Sequence, residues 1–273
     1  MERKLFCEIS PLTYKISVYK NIVKRHVQDY WKKERFSSEK REEKLPVCVY
    51  RHRSLIRRKL GNVDLELQNN KAVNLAISTQ KVSGILIKPG ETFSFWHLVG
   101  MCTEKEGYLE GLMIGKNTTV SGIGGGMCQF TNLIHWIILH TPFEIVEHHH
   151  HDNIDLFPDY GRVIPFGTGT SIVYNYFDYR FRNTTNQIYQ LIVYTDDIYL
   201  NGELYAENEQ AYSYHIKGEN EYFSKSQGVV YRNGEIIRTV IDRRTGNQVK
   251  RELIKKNRAK VLYDTTHLTI VEE

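Results

Sequence analysis

Apolar positions recur with different periods along this chain of 273 residues. Residues 10–44 are rich in Lys, Arg, Glu and Tyr. Val18, Ile22 and either Val23 or His26 fall there at helical spacing, predicting a helical region that ends in the charged run from Ser37 to Lys44. Pro46 then opens the strand-type run Val47 to Tyr50. Between Asn69 and Ser83, the residues Ala72, Leu75, Ala76 and Thr79 share one helical face, and Gly84 marks the stop. Ile85 to Ile87 reads as a short buried strand, Lys88-Pro89-Gly90-Glu91 as a turn, and Thr92 to Trp96 as a further strand. Four glycines within Ser121 to Gly126 precede a mostly apolar stretch from Met127 to His140 that Thr141-Pro142 closes. That is the pattern of a glycine loop entering a buried helix. Phe143 to Glu147 follows as a strand and delivers four consecutive histidines, His148 to His151.

Beyond residue 170 the pattern changes to alternating aromatic and β-branched runs: Ile172 to Tyr176, Phe177 to Phe181, Ile188 to Thr195, Ile198 to Tyr205, Gly228 to Arg232 and Glu235 to Ile241. Asn201-Gly202 and Asn233-Gly234 read as turn signals among them. The expected fold class is α+β, with a helical N-terminal region, a central buried helix behind a Gly-rich loop, and an antiparallel β-rich C-terminal half. The expected organisation is a basic helical region over 1–62, a central domain over 63–210 and a β-rich extension over 211–273.

Composition changes this picture in two places. The formal charge of +5 conceals 17 Lys and Arg against 7 Asp and Glu in residues 1–62, while the remainder carries 20 against 25. A basic N-terminal region of this kind can meet an anionic phospholipid surface, so peripheral membrane contact through it is one expectation and a solvated helical face the other. It is too little to predict nucleic-acid binding. Glu8, Lys15 and Lys20 interrupt any export-type apolar segment, and Leu133 to Phe143 is too short to span a bilayer, so a cytoplasmic location is expected. The four cysteines, Cys7, Cys48, Cys102 and Cys128, form no closely spaced pair and read as free thiols.

Cys128 stands where the glycine loop becomes a helix. Unsatisfied backbone N–H groups and the positive end of the helix dipole favour a thiolate there and are expected to lower its pKa. The same groups can hold a developing oxyanion, or bind a phosphate or carboxylate, which makes Gly124, Gly125 and Gly126 candidate binding positions. A helix from Cys128 to His140 runs about 18 Å and a strand from Phe143 to His148 about 20 Å. A reversal at Thr141-Pro142 therefore returns the histidines toward Cys128. Strand alternation puts His148 and His150 on one face and His149 and His151 on the other, and spacing alone leaves both pairs open. Asp152, Asp155 or Asp159 could orient an imidazole. Neighbouring histidines in a strand point oppositely, so at most two could share an ion, and no metal site or cofactor is assigned. His135 and His140 read as core or helix-terminal histidines, and Arg162 as a candidate for binding a substrate carboxylate. The glycines fit neither the dinucleotide fingerprint nor a P-loop.

Several segments together resemble the VanW family, from about Lys44 to Glu207: Pro89-Gly90-Glu91-Thr92-Phe93-Ser94-Phe95-Trp96, Val120-Ser121-Gly122, Gly124-Gly125-Gly126-Met127-Cys128-Gln129, Leu139-His140-Thr141-Pro142, Ile145-Val146-Glu147-His148 and Arg180-Phe181-Arg182-Asn183-Thr184-Thr185. The resemblance implies a setting in glycopeptide resistance and cell-wall precursor metabolism, with a small peptide or peptidoglycan precursor as partner. Family members usually read Glu-Arg-His-x-His at the histidines, which aligns the two family histidines with His149 and His151 and favours that pair. Gly169 stands where many relatives carry Asp, so the third member of a triad is missing from its usual place. The leading expectation is a papain-like thiol acyl-transfer enzyme: Cys128 the nucleophile, His149 or His151 the base, and the Gln129 side chain with the loop amides the oxyanion donors. The alternatives are a non-catalytic module binding an anionic precursor and a His/Cys metal site.

Overall fold

The computed structural model describes residues 5–57, 65–114, 119–150, 154–156, 158–159, 161, 163–174 and 176–272. Ser10, whose hydroxyl accepts the Thr13 amide at 3.2 Å, caps helix α1 (Pro11–Trp31), with Pro11 at its first position. The helix ends at Trp31, earlier than the charged run suggests, because residues 35–41 serve as an extended edge to later strands. Thr92 N donates to Arg35 O at 2.8 Å, Leu86 N to Glu39 O at 2.8 Å and Arg41 N to Gly84 O at 2.9 Å.

The chain continues through β1 (Val47–Leu55), α2 (Leu65–Val82), β2 (Ile85–Ile87), β3 (Thr92–Ser94), α3 (Phe95–Val99), β4 (Glu110–Ile114), β5 (Thr119–Ile123), α4 (Met127–Ile138), β6 (Glu144–Glu147), β7 (Ile154–Asp155) and β8 (Arg180–Arg182). It ends with β9 (Tyr189–Thr195), β10 (Tyr199–Ala206), β11 (Tyr212–Ser226), β12 (Val229–Asp242), β13 (Gln248–Val261) and β14 (Ile270–Glu272). The strand expected over Thr92 to Trp96 stops at Ser94, whose hydroxyl accepts the His97 amide at 3.2 Å and caps α3 instead.

The fold is α+β. An antiparallel sheet in the order β1-β10-β9-β2 packs against α2 and α4, and β3-β8-β6 forms a second antiparallel sheet beside it. The main core lies between these layers. Phe130, Ile134, Ile137 and Ile138 of α4 meet Phe93, Phe95, Tyr179, Phe181 and Leu204, all at most 1 % exposed. Each such side chain contributes about 1.5–3 kcal/mol by leaving water. The C-terminal sheet runs β14-β11-β12-β13-β7, antiparallel in its centre and parallel at both edges.

Both Asn-Gly pairs lie inside strands, β10 and β12, rather than at turns. A Cβ at Gly202 would come within 2.7 Å of Ile137 Cδ1 and 2.9 Å of Leu133 Cδ2, so this glycine lets α4 approach the sheet. Strands β11 and β13 escape sequence patterning because charged and polar residues interrupt the alternation and little of either strand is fully buried.

No side chain of α1 is fully buried; charge holds the helix to the core. Arg180 of β8 grips Asp29 bidentately at 2.6 and 2.9 Å and donates to Asp178 at 2.7 Å, while Arg25 pairs with Glu147. Asp178 also accepts the Ser94 hydroxyl at 2.5 Å and the amides of Trp96 and Tyr179. Arg180→Leu takes the guanidinium away from Asp29 and Asp178, two carboxylates largely out of solvent, and urea denaturation is expected to show a loss of about 3–5 kcal/mol. A loss below about 1 kcal/mol would show that solvent replaces the pair.

Candidate functional site

Helix α4 begins where two backbones cross. Gly124 and Gly126 have φ of +77° and +101°, a region that glycine alone enters without strain. Gly125 lies against β4: a Cβ there would come within 2.2 Å of the Gly111 carbonyl, and one at Gly111 within 2.8 Å of Gly125 O. A Cβ at Gly126 would meet Lys71 Cγ at 2.3 Å. The glycines thus make room for the chain itself. The Gly124 amide is spent on Leu109 O at 3.0 Å and the Gly125 amide on Gly122 O at 3.1 Å, so neither faces a ligand as expected of an anion-binding loop.

Asn74 of α2 locks this crossing. Its amide nitrogen donates to Leu109 O at 2.9 Å and Gly125 O at 3.0 Å, and its carbonyl accepts Leu109 N at 2.8 Å, with the residue fully buried. Ser78, one turn on, bonds Tyr108 OH at 3.0 Å and Met127 Sδ at 3.1 Å. The buried face of α2 is therefore largely polar, and the face chosen from the helical spacing of Ala72, Leu75, Ala76 and Thr79 caught only its Leu75 and Thr79 edge. A buried asparagine at helical spacing from Ser78 was the available signal.

Cys128, Asn132 and His135 follow one another at helical spacing, a polar seam on a helix otherwise given to the core. The segment 168–172 closes over it. Asn132 Oδ1 accepts the Thr170 amide at 2.6 Å and its hydroxyl at 2.8 Å, the hydroxyl also reaches Cys128 O at 3.4 Å, and Thr131 pairs with Thr170. Farther along, the His135 ring stacks on His148 with centroids 4.1 Å apart, and His148 meets the His150 ring edge to face at 4.2 Å. His135 Nδ1 shares a hydrogen bond with the buried Tyr179 hydroxyl at 3.0 Å, and His148 Nε2 meets Gly169 O at 3.1 Å. A Cβ at Gly169 would sit 3.8 Å from Asn132 Oδ1, so this position adjoins the seam.

The expected residues divide. The chain does reverse after α4, and of the favoured pair His149 and His151 only His149 is described; among the described histidines of the run it is His148 whose ring stacks on that helix, at His135. His149 stacks on Phe177 at 4.2 Å and shares its Nε2 with Glu147 at 3.1 Å, joining the ion-pair cluster that anchors α1. Gln129, expected to be an oxyanion donor, gives its amide to Ser54 Oγ at 2.9 Å and Leu55 O at 2.8 Å and ties α4 to β1. Asp155 and Asp159 pair with Arg232 of β12. His151, Asp152 and Arg162 lie outside the described residues. No three His, Cys, Asp or Glu side chains converge as metal ligands among the described residues.

Burial pushes the Cys128 thiol above the ordinary cysteine value, outweighing the amides of Ile172 and Cys128 that pull the other way. The helix start alone had suggested a lowered pKa, but desolvation wins where the sulfur is enclosed. Burial also holds His135 well below 6.5 and takes His140 down to about 4. At neutral pH the seam therefore carries a thiol and an uncharged His135.

A model described as "VanW like protein" matches residues 70–205. The vancomycin B-type resistance protein VanW of Enterococcus faecalis is 31 % identical over 234 residues, covering 85 % of this chain and 84 % of that protein. The uncharacterized protein YoaR of Bacillus subtilis is 28 % identical over 118 residues, 43 % of this chain and 37 % of that one. No solved structure matches the chain significantly. An α+β protein with a glycine crossing and a cysteine at the start of its central helix is thus defined by structure, and the chain belongs to the VanW family.

Two measurements check the site. Asn74→Ala removes the partner of the Leu109 amide and of the Gly125 carbonyl and is expected to cost about 3 kcal/mol in urea denaturation. His135 and His140 have folded pKa values below their unfolded ones, so the unfolded state binds more protons as pH falls. Stability from this source is complete above pH about 6.5 and declines toward pH 4. His140→Gln should flatten the slope in that window, and an unchanged slope would place the proton uptake elsewhere.

Proposed function

We propose that the chain acts in glycopeptide resistance on a peptide of the cell-wall precursor, as a thiol acyl-transfer enzyme with Cys128 as nucleophile. The observation carrying this reading is the polar seam from Cys128 through Asn132 and Thr170 to His135 and His148, set into an apolar helix. Burying such a network is costly unless every member is bonded, and apolar residues at the same positions would avoid the cost. The relative's name supplies the resistance setting. All four cysteines are free thiols, which suits a reducing, cytoplasmic location.

In this reading Cys128 rests as a thiol. Its sulfur attacks an amide carbonyl while its proton passes to an imidazole of the His148–His150 pair. That proton then leaves on the departing amine, and water or a second amine releases the acyl group from sulfur. One observation favours the second reading, a non-catalytic module for an anionic precursor: the raised thiol pKa, which suits a cysteine that only packs.

Incubation with a muramyl pentapeptide, acid quenching and mass spectrometry separate the two. Acyl transfer predicts an adduct on Cys128 in the wild type and none in Cys128→Ala, with the variant still folded and still binding peptide. Peptide binding equal in both proteins, without adduct or turnover, would establish the binding module. Iodoacetamide at pH 7 should modify Cys128 more slowly than a free cysteine peptide, and faster labelling would overturn the resting thiol.

A further inference from the structure

Helix α1 presents two faces with different chemistry. The face toward the core carries Arg25 and Asp29, which make the ion pairs to Glu147 and Arg180. About 130° around the helix, at 100° per residue, lies a second stripe: Leu12, Ile16, Tyr19, Val23, Val27 and Tyr30. They follow each other at intervals of three and four and are 46–82 % exposed. All six fall within an arc of about 80°. Before the helix, Phe6 and Ile9 extend the patch at 55 and 62 % exposure. A contiguous apolar surface of this length on a water-facing helix marks a binding face.

The charges beside the stripe say what covers it. Lys15 and His26 flank one edge and Lys20 and Lys24 the other, so cations border the apolar residues on both sides. That is the arrangement of a helix lying in a lipid interface, with its apolar face among acyl chains and its lysines level with the phosphates. Tyr30 and Trp31, 82 and 78 % exposed, end the helix with the aromatic types favoured at that depth. The excess of basic residues over 1–62 adds a long-range attraction to the same surface. No helix among the described residues is long and apolar enough to cross a membrane.

We propose that α1 lies flat on an anionic phospholipid leaflet through the stripe from Leu12 to Tyr30, anchoring the α4 site at the membrane surface. This holds whichever chemistry Cys128 performs.

Co-sedimentation of the full chain with phosphatidylcholine vesicles, with and without phosphatidylglycerol, tests it. Binding is expected only with the anionic lipid and should weaken as salt rises. Val23→Glu with Ile16→Glu alters only exposed positions, should leave thermal unfolding unchanged and should lower binding by roughly tenfold or more. Lys20→Gln with Lys24→Gln should lower it by roughly fivefold per lysine. Failure of the wild type to bind anionic vesicles at low salt would overturn the proposal, as would undiminished binding by the glutamate variant. A wild-type dimer in sedimentation that Val23→Glu converts to monomer would also overturn it, showing that a second copy covers the stripe.

Discussion

The crossing of the Gly111 and Gly125 backbones, held by the side chain of Asn74, is the contact on which the rest of the site depends. Without a Cβ at either position the glycine loop can pass against β4 and still turn into α4 at once. The hydrogen bonds of Asn74 to Leu109 N and Gly125 O give these backbone groups their partner, and a third to Leu109 O joins the one from the Gly124 amide. They also fix where the first turn of α4 begins, and hence where Cys128 sits. Glycines that read as an anion-binding loop are better explained by this close approach.

From that start, α4 performs two tasks on different faces. Phe130, Leu133, Ile134 and Ile137 join the core against the sheets. Cys128, Asn132 and His135 form a seam that segment 168–172 and His148 complete. Within the seam the thiol is pushed up and His135 down by the same loss of solvation. A thiol at rest requires proton transfer at the moment of reaction, unlike a standing thiolate.

Charge performs for α1 what apolar contact performs for α4. The pairs of Arg25 and Arg180 with Glu147, Asp29 and Asp178 hold the helix to the core and leave its hydrophobic stripe outward. His149 belongs to this cluster through Glu147, so His148 and His149 divide between the α4 seam and the α1 anchor.

Much of the local structure was legible in sequence because local rules govern it. Alternation and helical period located α4, β2, β9 and β10, and the apolar helix between Gly126 and Thr141-Pro142 marked Cys128 as its first-turn cysteine. Alternation also foretold that neighbouring histidines would part to opposite sides. Which of them met α4, what Gln129 would bind, and whether burial or the helix dipole would govern the thiol all depend on contacts between segments far apart in the chain. The Asn-Gly pairs misled for the same reason: Gly202 is small because α4 crosses it, a fact absent from its neighbours in sequence. Periodicity determined several core elements, α4 among them, and the position of the cysteine at its start. Tertiary packing decided its partners and its protonation, because desolvation and steric approach depend on which distant groups enclose a side chain.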